Sequence, residues 1–167
     1  MLELFVEYRS NALYTAIVAV TILAFWKGGG PERAVAAAFW LAMIVPHRIF
    51  HLTTGWTVVV DTIDIPHAAL DLFFLFVVCA IAIQANRMYP LWFAALQLVA
   101  VMAHLARAAT PDIAPIAYAV MYLGPSYLQT IVLGVGVWRH IRRKRRHGPY
   151  RDWRTGRLLP FAAPALR

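Results

Sequence analysis

Charge is scarce in this chain. Asp, Glu, Lys and Arg make up only 14% of its 167 residues, against about a quarter in ordinary soluble domains. Cysteine is nearly missing too: Cys79 stands alone, which excludes an intrachain disulfide and a cysteine-based zinc site. A cleavable leader is not expected either. Glu3 and Glu7 occupy the place of a basic leader region, and Trp26-Lys27-Gly28 is no small-residue cleavage site, so the first apolar segment is read as a retained helix. No internal repeat is visible at a usable period.

What remains is apolar. Hydrophobic residues make up 61% of the chain and mean hydropathy is +0.61, which points to the bilayer as solvent. The length suits one compact bundle. The net charge of +8 is a property of one end of the chain. Met1 to Trp138 holds six Lys/Arg against seven Asp/Glu, whereas Arg139 to Arg167 holds ten Lys/Arg and the single acid Asp152.

Five apolar segments divide the chain, at about 5–26, 32–52, 65–84, 89–108 and 112–138. Each is near the length of about 20 residues that a helical crossing needs. Trp26 and Lys27 close the first as an interfacial anchor, and Gly28-Gly29-Gly30 makes a tight turn before Pro31. Pro46 interrupts the second and is expected to loosen its helix. Asp64 is placed to cap the third. Gly124-Pro125-Ser126 falls inside the last, which is read as one kinked span rather than two pieces. The fold class is therefore all-α, a polytopic integral membrane helical bundle of about five transmembrane helices over 1–138, with a basic tail over 139–167 in which Gly148-Pro149 breaks the helix and the remainder reads as largely irregular. The arginine run Arg139 to Arg146 places that tail in the cytoplasm and the N-terminus outside, in a membrane of the bacterial inner-membrane kind.

The polar residues converge in depth. His47 and His51 are i and i+4 on the second segment. Asp64, His67 and Asp71 are i, i+3 and i+7 on the third, hence on one helix face. At 1.5 Å per residue, His47 lies about 9 Å from the outer end of its segment, Asp71 about 10 Å and His104 about 6 Å. The inner halves of these helices read as nearly free of ionisable groups. Ionisable groups within a bilayer are costly unless they are paired, hydrated or coordinated, so this asymmetry marks a site.

The pattern fits a transition-metal centre with His47, His51, His67, His104 and Asp64 as ligands and Asp71 as the catalytic carboxylate. Imidazole with carboxylate suits Zn, Fe, Mn or Cu. A b-type haem held by two histidines on different helices, for example His67 and His104, belongs to the same class. Such a protein would be a membrane oxidoreductase or hydrolase acting on a lipid-like substrate. Two other readings use the same residues: a non-catalytic membrane subunit or assembly factor, in which the cluster only holds helices together, and a proton- or ion-relay component. Asp71 as a structural partner of Arg48 or Arg107 belongs to the bland side, as does Asp64 as a plain cap. Gln97, Tyr118, Tyr122 and Gln129 are placed to complete the pocket, and Phe73, Phe74 and Phe76 read as lipid-facing or packing residues. Expected partners are membrane lipid, anionic phospholipid headgroups at the basic tail, and a protein partner or second copy. Nucleic acid is disfavoured, since charge alone gives only non-specific attraction.

Overall fold

A computed structural model describes residues 2–55, 65–110 and 112–154; the side chains of 2–13, 51, 54, 115, 119 and 122 are outside that description. The protein is an all-α bundle. Helix α1 spans Leu2–Lys27, and Lys27 lies over the Trp26 ring at 4.3 Å. After Gly28 and Gly29, helix α2 (Gly30–Ala38) runs without a break into a π-helical turn (Phe39–Ile44) and then α3 (Val45–Thr54). Helices α4 (Ile65–Gln84), α5 (Tyr89–Ala109) and α6 (Pro115–His147) complete the set. Among the described residues, four helices are long and apolar enough to cross a membrane: Gly30–Phe50, Ile65–Gln84, Tyr89–Ala109 and Ile116–His147.

The π-helical turn answers the proline expectation. A proline at position 46 has no N–H and its ring collides with the carbonyl four residues back, here Ala42. The wider turn ends just before it, where the Val45 N–H bonds the Trp40 carbonyl, so the register shifts and the helix continues. In α6, Pro125 sits inside one continuous helix; Thr130 Oγ1 donates to the Ser126 carbonyl at 2.9 Å beside it.

Helix α5 packs between α4 and α6, while α1 lies on α6 and α2 on α4. The middle of the bundle is aromatic. The ring centroids of Phe39, Phe74 and Phe93, all buried, stand 5.7–6.0 Å apart, one pair stacked and two edge-on. Such geometries add to the area the rings bury. Phe73 and Phe76 face outward, as α-helical phase requires once Phe74 points in.

Past Trp138 the helix carries the arginine run out to His147, because Arg and Lys are good helix formers, and it ends at the Gly148-Pro149 break that the sequence marks. The next stretch is irregular apart from one bridge residue, yet it lies on the bundle. Residues 148–154 turn back on the bundle: Arg154 N donates to the Gln84 carbonyl at 2.8 Å, Asn86 N to the Asp152 carbonyl at 3.1 Å, and Ala85 pairs with Trp153 in an antiparallel bridge. Residues 155–167 lie outside the described residues.

Candidate functional site

Two buried polar clusters occupy opposite ends of the bundle, with the three phenylalanines between them. At the end where α4 begins and α5 finishes, henceforth the histidine end, Asp71 is the hub. Its backbone carbonyl and Oδ1 accept from Gln97 Nε2 at 3.1 and 2.9 Å, and Oδ2 lies 3.0 Å from His104 Nε2. The Tyr118 hydroxyl is 2.7 Å from His104 Nδ1. Gln129 Nε2, in turn, donates to Gln97 Oε1 at 2.9 Å and faces the Phe93 carbonyl at 3.4 Å. All five side chains are buried. Each ring nitrogen of His104 thus has a polar partner, and the tautomer with the proton on Nε2 lets it donate to Asp71 and accept from the Tyr118 O–H. Three helices are joined by this single chain of hydrogen bonds.

The arginines weighed as partners of Asp71 are engaged elsewhere. Arg107 donates from Nη1 to the Ile113 carbonyl and lies over the Tyr118 ring at 5.7 Å. Arg48 lies over the Tyr14 ring at 5.4 Å. Within this set the observed partners of Asp71 are Gln97 and His104.

A pair of histidines sits one turn earlier on α4. The rings of His47 on α3 and His67 on α4 are 4.6 Å apart, centroid to centroid, at 64°, and Phe50 stands edge-on to His67 at 5.9 Å. The predicted set is thus divided: His47 meets His67, whereas His104 meets Asp71. Asp64 and the side chains of His51 and Tyr122 lie outside the described residues. Among the described residues, no three His, Cys, Asp or Glu side chains form a group able to hold a metal ion.

The opposite end, the arginine end, carries a cluster that the depth argument missed. Glu32 is fully buried. Its Oε2 accepts from Gly29 N at 3.0 Å, closing the first turn of α2, and its Oε1 takes Arg87 Nη1 at 3.0 Å. The Arg87 Nη2 pairs with Asp152, which also accepts from Gly30 N at 2.6 Å. Arg87 Nη1 further lies 2.7 Å from the Tyr150 hydroxyl and 2.8 Å from His140 Nδ1, and these two are 2.8 Å from each other. Burial, only partly offset by Arg87, pushes the Tyr150 hydroxyl above the usual phenol range, so it keeps its proton and donates to His140. A Cβ added at position 29 would press on this pair, standing 2.8 Å from Asp152 Oδ1 and 2.9 Å from Arg87 Nη2. The signals were present in the sequence. Gly-Gly-Pro-Glu is a helix start with a glutamate placed to reach back to the cap, and Asp152 is the one acid among the terminal basic residues.

Between the two clusters stand the buried rings of Phe39, Phe74 and Phe93, an apolar layer. No protein-family model, curated protein or solved structure matches this chain.

Proposed function

We propose that this integral membrane protein binds a transition-metal ion at its histidine end, beside a buried acid–base network. The observation that carries this reading is the meeting of His47 and His67, two imidazoles from separate helices held ring to ring at 4.6 Å. In the sequence His51 follows His47 by four residues and Asp64 precedes His67 by three, and these two would complete a mixed imidazole–carboxylate set suited to Zn, Fe, Mn or Cu. Haem is the poorer fit. Axial ligation through His104 would cost its bond to Asp71 or to Tyr118.

When bound, the ion would supply Lewis-acid chemistry. The chain's own residues do the rest. His47 and His67 bind, and Asp71, one turn along α4 from His67, is the proton acceptor held in place by Gln97 and His104. A hydrogen-bonded carboxylate–imidazole pair both fixes the imidazole tautomer and takes up protons. A substrate would be lipid-like and reach the site from the bilayer. By the excess of Lys and Arg at the arginine end, that end faces the cytoplasm and the histidine end faces out.

A second reading has its own support: both carboxylate oxygens of Asp71 are bonded within the network, which is what a helix staple in a non-catalytic subunit requires. Elemental analysis of the protein purified in mild detergent decides between them. Metal near one equivalent per chain, lost in His47→Ala and in His67→Ala, supports the site. A metal-free protein that takes up none of the four ions on reconstitution leaves the staple.

A further inference from the structure

At the arginine end a cleft of about 670 Å³ opens between the start of α5 and the end of α6. It adjoins the Glu32–Arg87–Asp152 cluster and shares Arg87, His140 and Tyr150 with it. Arg139, Arg142, Arg143 and Arg146 line it. They are i, i+3, i+4 and i+7 on α6 and so stand on one helix face. Val135, one turn earlier on that face, and Trp138 also line the cleft, and both are exposed. The wall therefore changes from apolar to fully basic within one turn, at the place where a tryptophan marks the edge of the hydrocarbon layer.

The charge is uncompensated. The described residues lining the cleft include no carboxylate, and the two acids nearest to it, Glu32 and Asp152, are both taken by Arg87. Two of the guanidinium groups are oriented by rings, Arg142 over Trp138 at 5.4 Å and Arg143 over Tyr150 at 4.2 Å. Arginine in this setting matches a phosphate by bidentate hydrogen bonding. The glycine at 136 lets α5 close over the floor, where an added Cβ would stand 2.8 Å from the Tyr89 ring. An apolar wall on the bilayer side and a basic one on the water side complement one kind of molecule.

We propose that this cleft binds one anionic glycerophospholipid, its phosphate among Arg139, Arg142, Arg143 and Arg146 and an acyl chain along Val135 and Trp138. The site is independent of any metal at the histidine end. It also differs from diffuse attraction of a basic tail to a charged surface, because it assigns the binding to one face of α6.

The test is thermal unfolding of the full chain in neutral detergent, titrated with short-chain phosphatidylglycerol, with phosphatidylcholine of the same chain length, and with inorganic phosphate. Phosphatidylglycerol is expected to stabilise the protein saturably, and the other two are not. In Arg142→Gln/Arg143→Gln/Arg146→Gln the half-saturating concentration is expected to rise at least about tenfold. The off-face triple Arg145→Gln/Arg151→Gln/Arg154→Gln, with the same change in charge, is expected to shift it by less than about threefold. Native mass spectrometry of the unaltered protein gives a second readout, one phosphatidylglycerol retained in preference to phosphatidylcholine. An equal response to phosphatidylcholine, an equal response to inorganic phosphate, or an equal loss in the off-face triple would each overturn the proposal.

Discussion

His104 uses both ring nitrogens inside the protein, Nε2 towards Asp71 and Nδ1 towards Tyr118, and its neighbours inherit the consequence. Replacing Asp71 by leucine removes the acceptor for Gln97 and His104 together. A buried donor left without its acceptor costs roughly 1–3 kcal/mol, so Asp71→Leu should lower unfolding stability in mixed micelles by that amount. Asp71→Asn should cost less, since its carbonyl still accepts from Gln97. At the other end Arg87→Ala leaves Glu32 buried without its cation, and loss of one partner of a buried pair costs about 3–5 kcal/mol. Joint replacement, Glu32→Gln with Arg87→Met, should recover most of that loss, and unfolding of the two singles and the double measures it. Tyr150 adds a pH dependence of known sign. Its proton is held more tightly in the folded chain than in the unfolded one, so its contribution is complete below the ordinary phenol range and declines as pH rises through it. Tyr150→Phe should reduce that alkaline decline in the unfolding midpoint.

Among the elements, α6 shows best what spacing in the sequence reveals and what it hides. Its existence, its proline inside one span and its basic exit were legible from apolar length and charge. The return of the chain onto the bundle was not, because Gly148-Pro149 reads equally as the end of order or as a turn; only the pairing of 152–154 with the α4–α5 junction distinguishes them. The π-helical turn before Pro46 was hidden for a similar reason. Proline announces a conflict with the preceding carbonyl but does not say whether the helix kinks or changes register. Gly136 gives a test at this scale. Its missing side chain admits the Tyr89 ring, and α5 against α6 is the broadest helix contact in the bundle. Gly136→Leu should force the two apart and destabilise the protein by about 1–3 kcal/mol, whereas Gly124→Leu, where an added Cβ meets nothing within 4 Å, should be close to neutral.

The whole molecule is a bundle with a polar cluster at each end and an aromatic layer between. The histidine end was readable in advance, since i, i+3, i+4 and i+7 spacings place titratable groups on shared faces, and Asp71, His67, His104, Gln97 and Gln129 are all buried. How those residues divide was not readable. Depth along a helix orders residues in one dimension, while the pairing of His47 with His67 and of His104 with Asp71 depends on how α3, α4 and α5 rotate against one another. The arginine end escaped notice because its members are dispersed through the sequence, from Glu32 to Asp152, and each taken singly resembles an interfacial charge. X-ray absorption of the protein loaded with zinc tests the account most directly. It should show zinc bound by nitrogen and oxygen at about 2.0–2.1 Å, with the scattering signature of imidazoles, one of which disappears in His67→Ala while Asp71→Asn leaves the imidazole count unchanged. Zinc that does not bind, or a spectrum indifferent to His67→Ala, would contradict it.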